Sequence, residues 1–132
     1  MKSLDTNIIL RLLLRDVPEQ LDKILHLIDS SKSKSLILED AVLFESVWIL
    51  SGKMYNFDRQ LISKLLLGLT SIPQIICNKA MLEKAIPRYV SCEKISFVDA
   101  CLTAYAELNN AVPLLTFDSK LAKTAPKIVT EL

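Results

Sequence analysis

The sequence predicts an α/β fold: a three-layer α/β/α sandwich around a central, mainly parallel sheet of four or five strands, in a single domain spanning residues 1–132. Three observations carry this. Short apolar segments alternate with longer ones whose apolar residues recur at helical spacing. The short segments are near-continuously apolar, as strands covered on both faces must be. The loops between them are too short for domain linkers, and the chain contains no repeat or low-complexity stretch.

The elements follow in order. Lys2–Leu4 reads as a strand and Thr6–Arg15 as a helix. Pro18 opens a second helix with Glu19 in its first turn, and Leu21, Ile24, Leu25 and Ile28 keep the helical period. The polar run Ser30–Lys34 is a loop before a strand over Ser35–Leu38. Asp40 is expected to cap a third helix running to about Lys53, and Asp58 to start a fourth that Pro73 ends. Gln74–Cys77 reads as a strand, and Ala80–Val90 as a helix that Pro87 should kink or split. A helix over Ser96–Asn109, a strand over Pro113–Phe117, a single helical turn over Ser119–Lys123 and an edge strand over Lys127–Val129 complete the chain.

Composition excludes several chemistries. With 51% hydrophobic residues the chain is not disordered, and a net charge of +1 gives no global attraction to nucleic acid. Arg11, Glu45 and Pro73 interrupt the best membrane-spanning candidates, and the N-terminal stretch lacks the pattern of a secretory signal. The only glycines are Gly52 and Gly68, so no phosphate-cradling glycine loop exists. The only histidine, His26, rules out a two-histidine ribonuclease or a multi-histidine metal site, and its surroundings suit a surface or half-buried structural role. Cys77, Cys92 and Cys101, odd in number and without close pairing, read as reduced, buried thiols of a cytoplasmic protein.

Of the 15 acidic residues, Asp5, Glu45, Asp99 and Asp118 stand in apolar company. Taken singly, Asp5 and Asp118 read as helix N-caps, and Ser96-Phe97-Val98-Asp99 as a capping box with Asp in the usual Glu position. Glu45 lies mid-helix, with Ala41, Val42, Trp48 and Ile49 three and four residues away, and is expected on the inward face without a cation to pair with. Taken together, the four belong at the carboxyl edge of a doubly wound sheet, where ligands bind. Two carboxylates ~4 Å apart repel by ~4 kcal/mol at an effective dielectric of ~20, so such a cluster calls for a cation. Oxygen donors without His or Cys select Mg²⁺ or Mn²⁺, with Thr6, Asn7, Ser96 and Thr116 as candidates to orient the ligands.

These segments resemble a known family. Asp5-Thr6-Asn7-Ile8-Ile9-Leu10-Arg11, Arg15-Asp16-Val17-Pro18-Glu19-Gln20, Phe44-Glu45-Ser46-Val47-Trp48-Ile49-Leu50, Phe97-Val98-Asp99-Ala100 and Leu115-Thr116-Phe117-Asp118-Ser119-Lys120-Leu121-Ala122 are similar, nearly end to end, to the PIN domain. More closely they resemble the VapC-type toxins of toxin–antitoxin pairs. The resemblance implies a Mg²⁺- or Mn²⁺-dependent endoribonuclease whose acidic site falls on Asp5, Glu45, Asp99 and Asp118. Asp5 and Asp99 would be the main metal ligands, with Glu45 and Asp118 helping to bind metal or orient water. It also implies a homodimer and a small VapB-type antitoxin as partner. Arg11, Arg15, Lys120 and Lys123 are candidate RNA-phosphate contacts, although such residues more often form a solvated face. At Asn109-Asn110 the family's frequent glycine is missing, and Asn can take the left-handed position instead.

The alternatives are a PIN nuclease of RNA processing rather than a toxin, and a non-catalytic module whose acidic cluster is held by Arg11 and Arg88. A dehalogenase-type phosphatase would need an acid where Asn7 stands, and a receiver domain a second acid after the first strand.

Overall fold

A computed structural model describes all 132 residues. The chain is an α/β protein with seven helices and five short strands, and every strand pairing is parallel. Residues Met1–Asn78 form one compact unit and Lys79–Leu132 a second.

The first unit runs β1 (Lys2–Ser3), α1 (Thr6–Leu14), α2 (Pro18–Ser30), β2 (Leu36–Ile37), α3 (Asp40–Ser51), α4 (Arg59–Thr70) and β3 (Ile75–Ile76). β2 is central, with Lys2 opposite Leu36 on one side and Leu36 opposite Ile75 on the other. A helix pair carries each crossover, as a parallel connection requires, and α1 packs on both α2 and α3. Ile9, Leu36, Leu43, Leu50, Ile62 and Leu66 are almost wholly buried and make the center of the core. α1 ends because Arg15 takes a left-handed conformation, φ 53°, with its N–H on the Arg11 carbonyl, and Pro18 then starts α2 at a position needing no amide donor.

The second unit is α5 (Lys79–Ser91), α6 (Phe97–Leu108), β4 (Leu114–Thr116), α7 (Ser119–Thr124) and β5 (Val129–Glu131). α5 lies against α6 through Met81, Leu82, Ala85 and Ile86 on one side and Ala100, Cys101 and Ala104 on the other. Tyr89 and Phe97 meet edge to face, with ring centroids 5.4 Å apart. Arg88 ties the pair together, donating to Thr103 Oγ1 at 3.0 Å and forming an ion pair with Glu107. Asn110, φ 54°, supplies the left-handed residue after α6 in place of glycine.

Several expectations need correction. The strands form a three-stranded sheet, β1-β2-β3, and a separate pair, β4-β5, instead of one sheet of four or five. Each ladder is only two or three residues long, with the Leu4 and Leu38 amides still donating across to the next strand. The last strand starts at Val129 rather than Lys127, since the Ile128 and Val129 amides close the turn onto the Ala125 carbonyl. α3 begins at Asp40 with Glu39 in the capping position and no side-chain cap. α7 extends past a single turn, with Ala125 N–H on the Leu121 carbonyl. Pro87 does not split α5, which runs unbroken to Ser91, because Ala85, Ile86 and Tyr89 pack inward around it and offset the lost hydrogen bond. Of the cysteines only Cys101 is buried; Cys77 and Cys92 are half-buried.

Proline inside a helix forfeits one hydrogen bond and crowds the preceding turn. Pro87→Ala is therefore expected to stabilise the protein by about 1–3 kcal/mol in urea unfolding; a neutral or destabilised variant would show that α5 has relaxed fully around the ring.

Candidate active site

Each sequence-predicted acid sits at a helix start or on a helix face, and the local sequence explains how. β1 stops at Ser3, and Leu4 plugs into the core while its N–H still reaches the Ile37 carbonyl at 2.9 Å. Asp5 then turns the chain, with extended backbone and Oδ1 accepting from the Ile8 N–H at 3.0 Å. Its other oxygen makes no hydrogen bond, and the residue is exposed beside a groove of about 330 Å³ lined by Asn7, Arg11, Gln20 and Lys23 among others. Arg11 leaves that groove's carboxylate alone: its Nη1 donates to Asp16 Oδ2 at 3.0 Å, and its Nε is buried without a partner.

Glu45 is not where the helical pattern placed it. α3 buries Leu43, Ser46, Val47 and Leu50, and Glu45 is exposed on another face together with Trp48. Its carboxylate has no hydrogen bond and no ion pair, so water rather than a buried partner carries its charge.

In the second unit, Ser96 and Asp99 close a full capping box: the Asp99 N–H donates to Ser96 Oγ at 3.0 Å, and the Ser96 N–H donates to Asp99 Oδ2 at 3.4 Å. Asp99 is half-buried, and its Oδ1 is unbonded. Asp118 caps α7, with Oδ1 accepting from the Lys120 and Leu121 N–H groups at 2.9 and 3.2 Å. Thr116 fixes this turn by accepting the Asp118 N–H at 2.9 Å. Phe117, next to Asp118, is 82% exposed.

Asp5 and Glu45 thus belong to the first unit, and Asp99 and Asp118 to the second. Within neither unit do three His, Cys, Asp or Glu side chains gather closely enough to hold a metal ion. Thr6 and Asn7 bond to none of the acids, whereas Ser96 and Thr116 hold Asp99 and the Asp118 turn. Arg15, Lys120 and Lys123 are exposed and outside the three ion pairs, which join Arg11 to Asp16 and Lys84 and Arg88 to Glu107.

The sequence reading did not take Glu39, Asp40 or Asn78 as candidates for this edge. At the carboxyl ends of β2 and β3, a groove of about 560 Å³ is lined by Glu39, Asp40 and Asn78, and Asn78 Nδ2 donates to Asp40 Oδ2 at 3.0 Å. Glu39 follows β2 as Asp5 follows β1, two residues past the strand's end, and Asp40 stands next to it as the first residue of α3; reading Asp40 as the helix cap hid that parallel.

Carboxylates ending parallel strands, each with an oxygen unspent, suit cation and phosphate chemistry at a sheet edge. The model of the PIN domain family matches residues 3–127. The chain belongs to the PIN-domain family. PIN domains are generally nucleases, so the acids that end strands and begin helices in this PIN domain lie on a nuclease fold. No curated protein matches the chain. No helix is long and apolar enough to cross a membrane.

The caps carry a separable stability cost. Asp5→Ala or Asp118→Ala is expected to lose about 1 kcal/mol in chemical denaturation, and the Asn variants only a few tenths, because Asn caps as well as Asp. Equal losses for Ala and Asn would mean that the charge, not the cap, holds these turns.

Proposed function

We propose that this PIN domain is a Mg²⁺- or Mn²⁺-dependent endoribonuclease, the toxin of a VapBC-type pair, with Asp5, Glu45, Asp99 and Asp118 as its catalytic acids. The observation that carries the reading is that none of the four is neutralised by the protein. All three ion pairs use other carboxylates, and each of the four keeps at least one oxygen without a hydrogen bond. This disfavours the alternative of an acidic cluster held by arginines, since Arg11 and Arg88 are committed to Asp16 and Glu107.

The donor set fits a hard divalent cation: carboxylate oxygens, with no histidine or thiolate beside them. When bound, such an ion stabilises charge on the phosphoryl oxygens and favours ionisation of water near neutral pH. Asp5 and Asp99 would hold it, their second oxygens kept in place by the caps. Asp118 would add a ligand oxygen, while Glu45, exposed and unbonded, would orient water and take up its proton. Ser96 and Thr116 fix the directions of Asp99 and Asp118; Thr6 and Asn7 are available to bond ligand or substrate. Arg15, Lys120 and Lys123 would meet RNA phosphates; Arg11 is the weaker candidate because Asp16 already occupies it.

The order and spacing of the five segments that resemble VapC-type toxins support the toxin role, a cytoplasmic site of action, a homodimer and a small VapB-type antitoxin. A PIN nuclease of RNA processing would share the chemistry and differ in its partner.

The purified protein should cleave RNA with Mg²⁺ or Mn²⁺ and lose activity in EDTA. Glu45→Gln and Asp99→Asn should each lower the rate at least about 100-fold. Glu45→Gln should stay within about 0.5 kcal/mol of wild-type stability, since an exposed residue with no partner has little to lose. Wild-type cleavage rates in both variants would remove these residues from the site.

A further inference from the structure

We infer that Trp48 is a base-stacking platform for the RNA strand being cut, an inference that rests on the nuclease reading and adds to it a residue that positions substrate. Trp48 is the chain's single tryptophan and is 80% exposed. Its indole N–H donates no hydrogen bond, and the ring stacks on no other ring, unlike Tyr55 with Phe57 and Tyr89 with Phe97. A free indole offers a large, rigid apolar face that a planar ligand can cover.

Its position says which. Trp48 follows Glu45 by three residues on α3, and residues so spaced are neighbours on one helix face, with Cβ atoms about 5–6 Å apart. Both are exposed, and the buried face formed by Leu43, Ser46, Val47 and Leu50 lies elsewhere on the helix. One turn further on the same face stands Gly52, which has no side chain to cover the ring. A Cβ there would lie 3.2 Å from the Trp48 carbonyl oxygen and 3.3 Å from that of Ile49, a tight approach. Lys53, exposed, follows at the helix end and can meet a backbone phosphate.

A face that carries a catalytic carboxylate has to remain open to substrate, so a protein partner covering Trp48 would also cover Glu45. Single-stranded RNA offers unstacked bases, and aromatic side chains are their usual platform. Stacking is tolerant of base identity, so Trp48 would hold a nucleotide near the scissile phosphate without reading its sequence.

Because Trp48 is the only tryptophan, its fluorescence reports the contact directly. Homopolymeric single-stranded RNA is titrated onto the Asp99→Asn protein with Mg²⁺, and cleavage kinetics are measured on otherwise wild-type protein. The RNA should quench the emission. Trp48→Ala should weaken binding about tenfold and raise KM while leaving kcat largely unchanged, with Trp48→Phe recovering much of the loss. Met54→Ala, which removes another highly exposed apolar side chain, should change neither. Circular dichroism of Trp48→Ala should match wild type, since the residue contributes little to the core.

If the wild type cleaves RNA but the emission is not quenched and KM does not change in Trp48→Ala, the stacking role is overturned and the nuclease reading stands. If the wild type neither binds nor cleaves RNA, both fall. If the emission shifts to the blue with protein concentration alone and Trp48→Ala is monomeric, the indole belongs to an interface between copies of the chain, and the stacking role is overturned.

Discussion

The start of a helix leaves backbone N–H groups with no partner inside it, and where a strand runs straight into a helix a side chain has to supply the acceptor. That constraint organises both units. Asp5 meets it between β1 and α1, Asp118 between β4 and α7, and Ser96 with Asp99 at the head of α6. The β1–α1 and β4–α7 junctions are short, so Asp5 and Asp118 are fixed near a strand's end, whereas the Ser96–Asp99 box opens α6 after the loop that follows α5. The chain needs an acceptor there for folding, and the same choice places a negative oxygen where a parallel sheet offers its binding edge.

Folding and chemistry use different atoms of the same side chains. Asp5 Oδ1 and Asp118 Oδ1 accept backbone amides, and their partner oxygens are unbonded. A carboxylate held by one oxygen has lost most of its rotational freedom, so a ligand that uses the other meets a donor already oriented. Glu45 works differently: exposed on α3 with no bond to the protein, it contributes nothing to the core and owes its direction to the helix alone. The pairing of Arg11 with Asp16 and of Arg88 with Glu107 leaves these acids without internal counter-ions.

How far the sequence could be read depended on how local each feature is. The three caps were legible because an N-cap depends on a few consecutive residues, and Ser96-Phe97-Val98-Asp99 forms the reciprocal box that its spacing predicts. The left-handed Asn110 was legible for the same reason. The face of Glu45 was not, because α3 is apolar nearly all round: Val42, Phe44, Trp48 and Ile49 are as hydrophobic as the residues it buries, and no period singles out one side. Asp40 was misassigned because Glu39 and Asp40 are equally plausible helix starts, and Asn78, whose side chain bonds Asp40, lies 38 residues away. Sheet order was beyond the local pattern, since ladders two or three residues long are set by partners distant in sequence.

The central claim is that one residue both caps a helix and holds a cation, and Asn separates the two because it keeps the acceptor oxygen and loses the charge. The decisive measurement is calorimetric titration of Mn²⁺ into wild-type protein and into Asp5→Asn, with thermal unfolding of both. The account predicts that the wild type takes up the ion and melts at a higher temperature with it. Asp5→Asn should fold with nearly unchanged metal-free stability and bind Mn²⁺ far more weakly. A wild-type protein that takes up no divalent ion, or an Asp5→Asn protein that binds it as tightly as wild type, would contradict the claim.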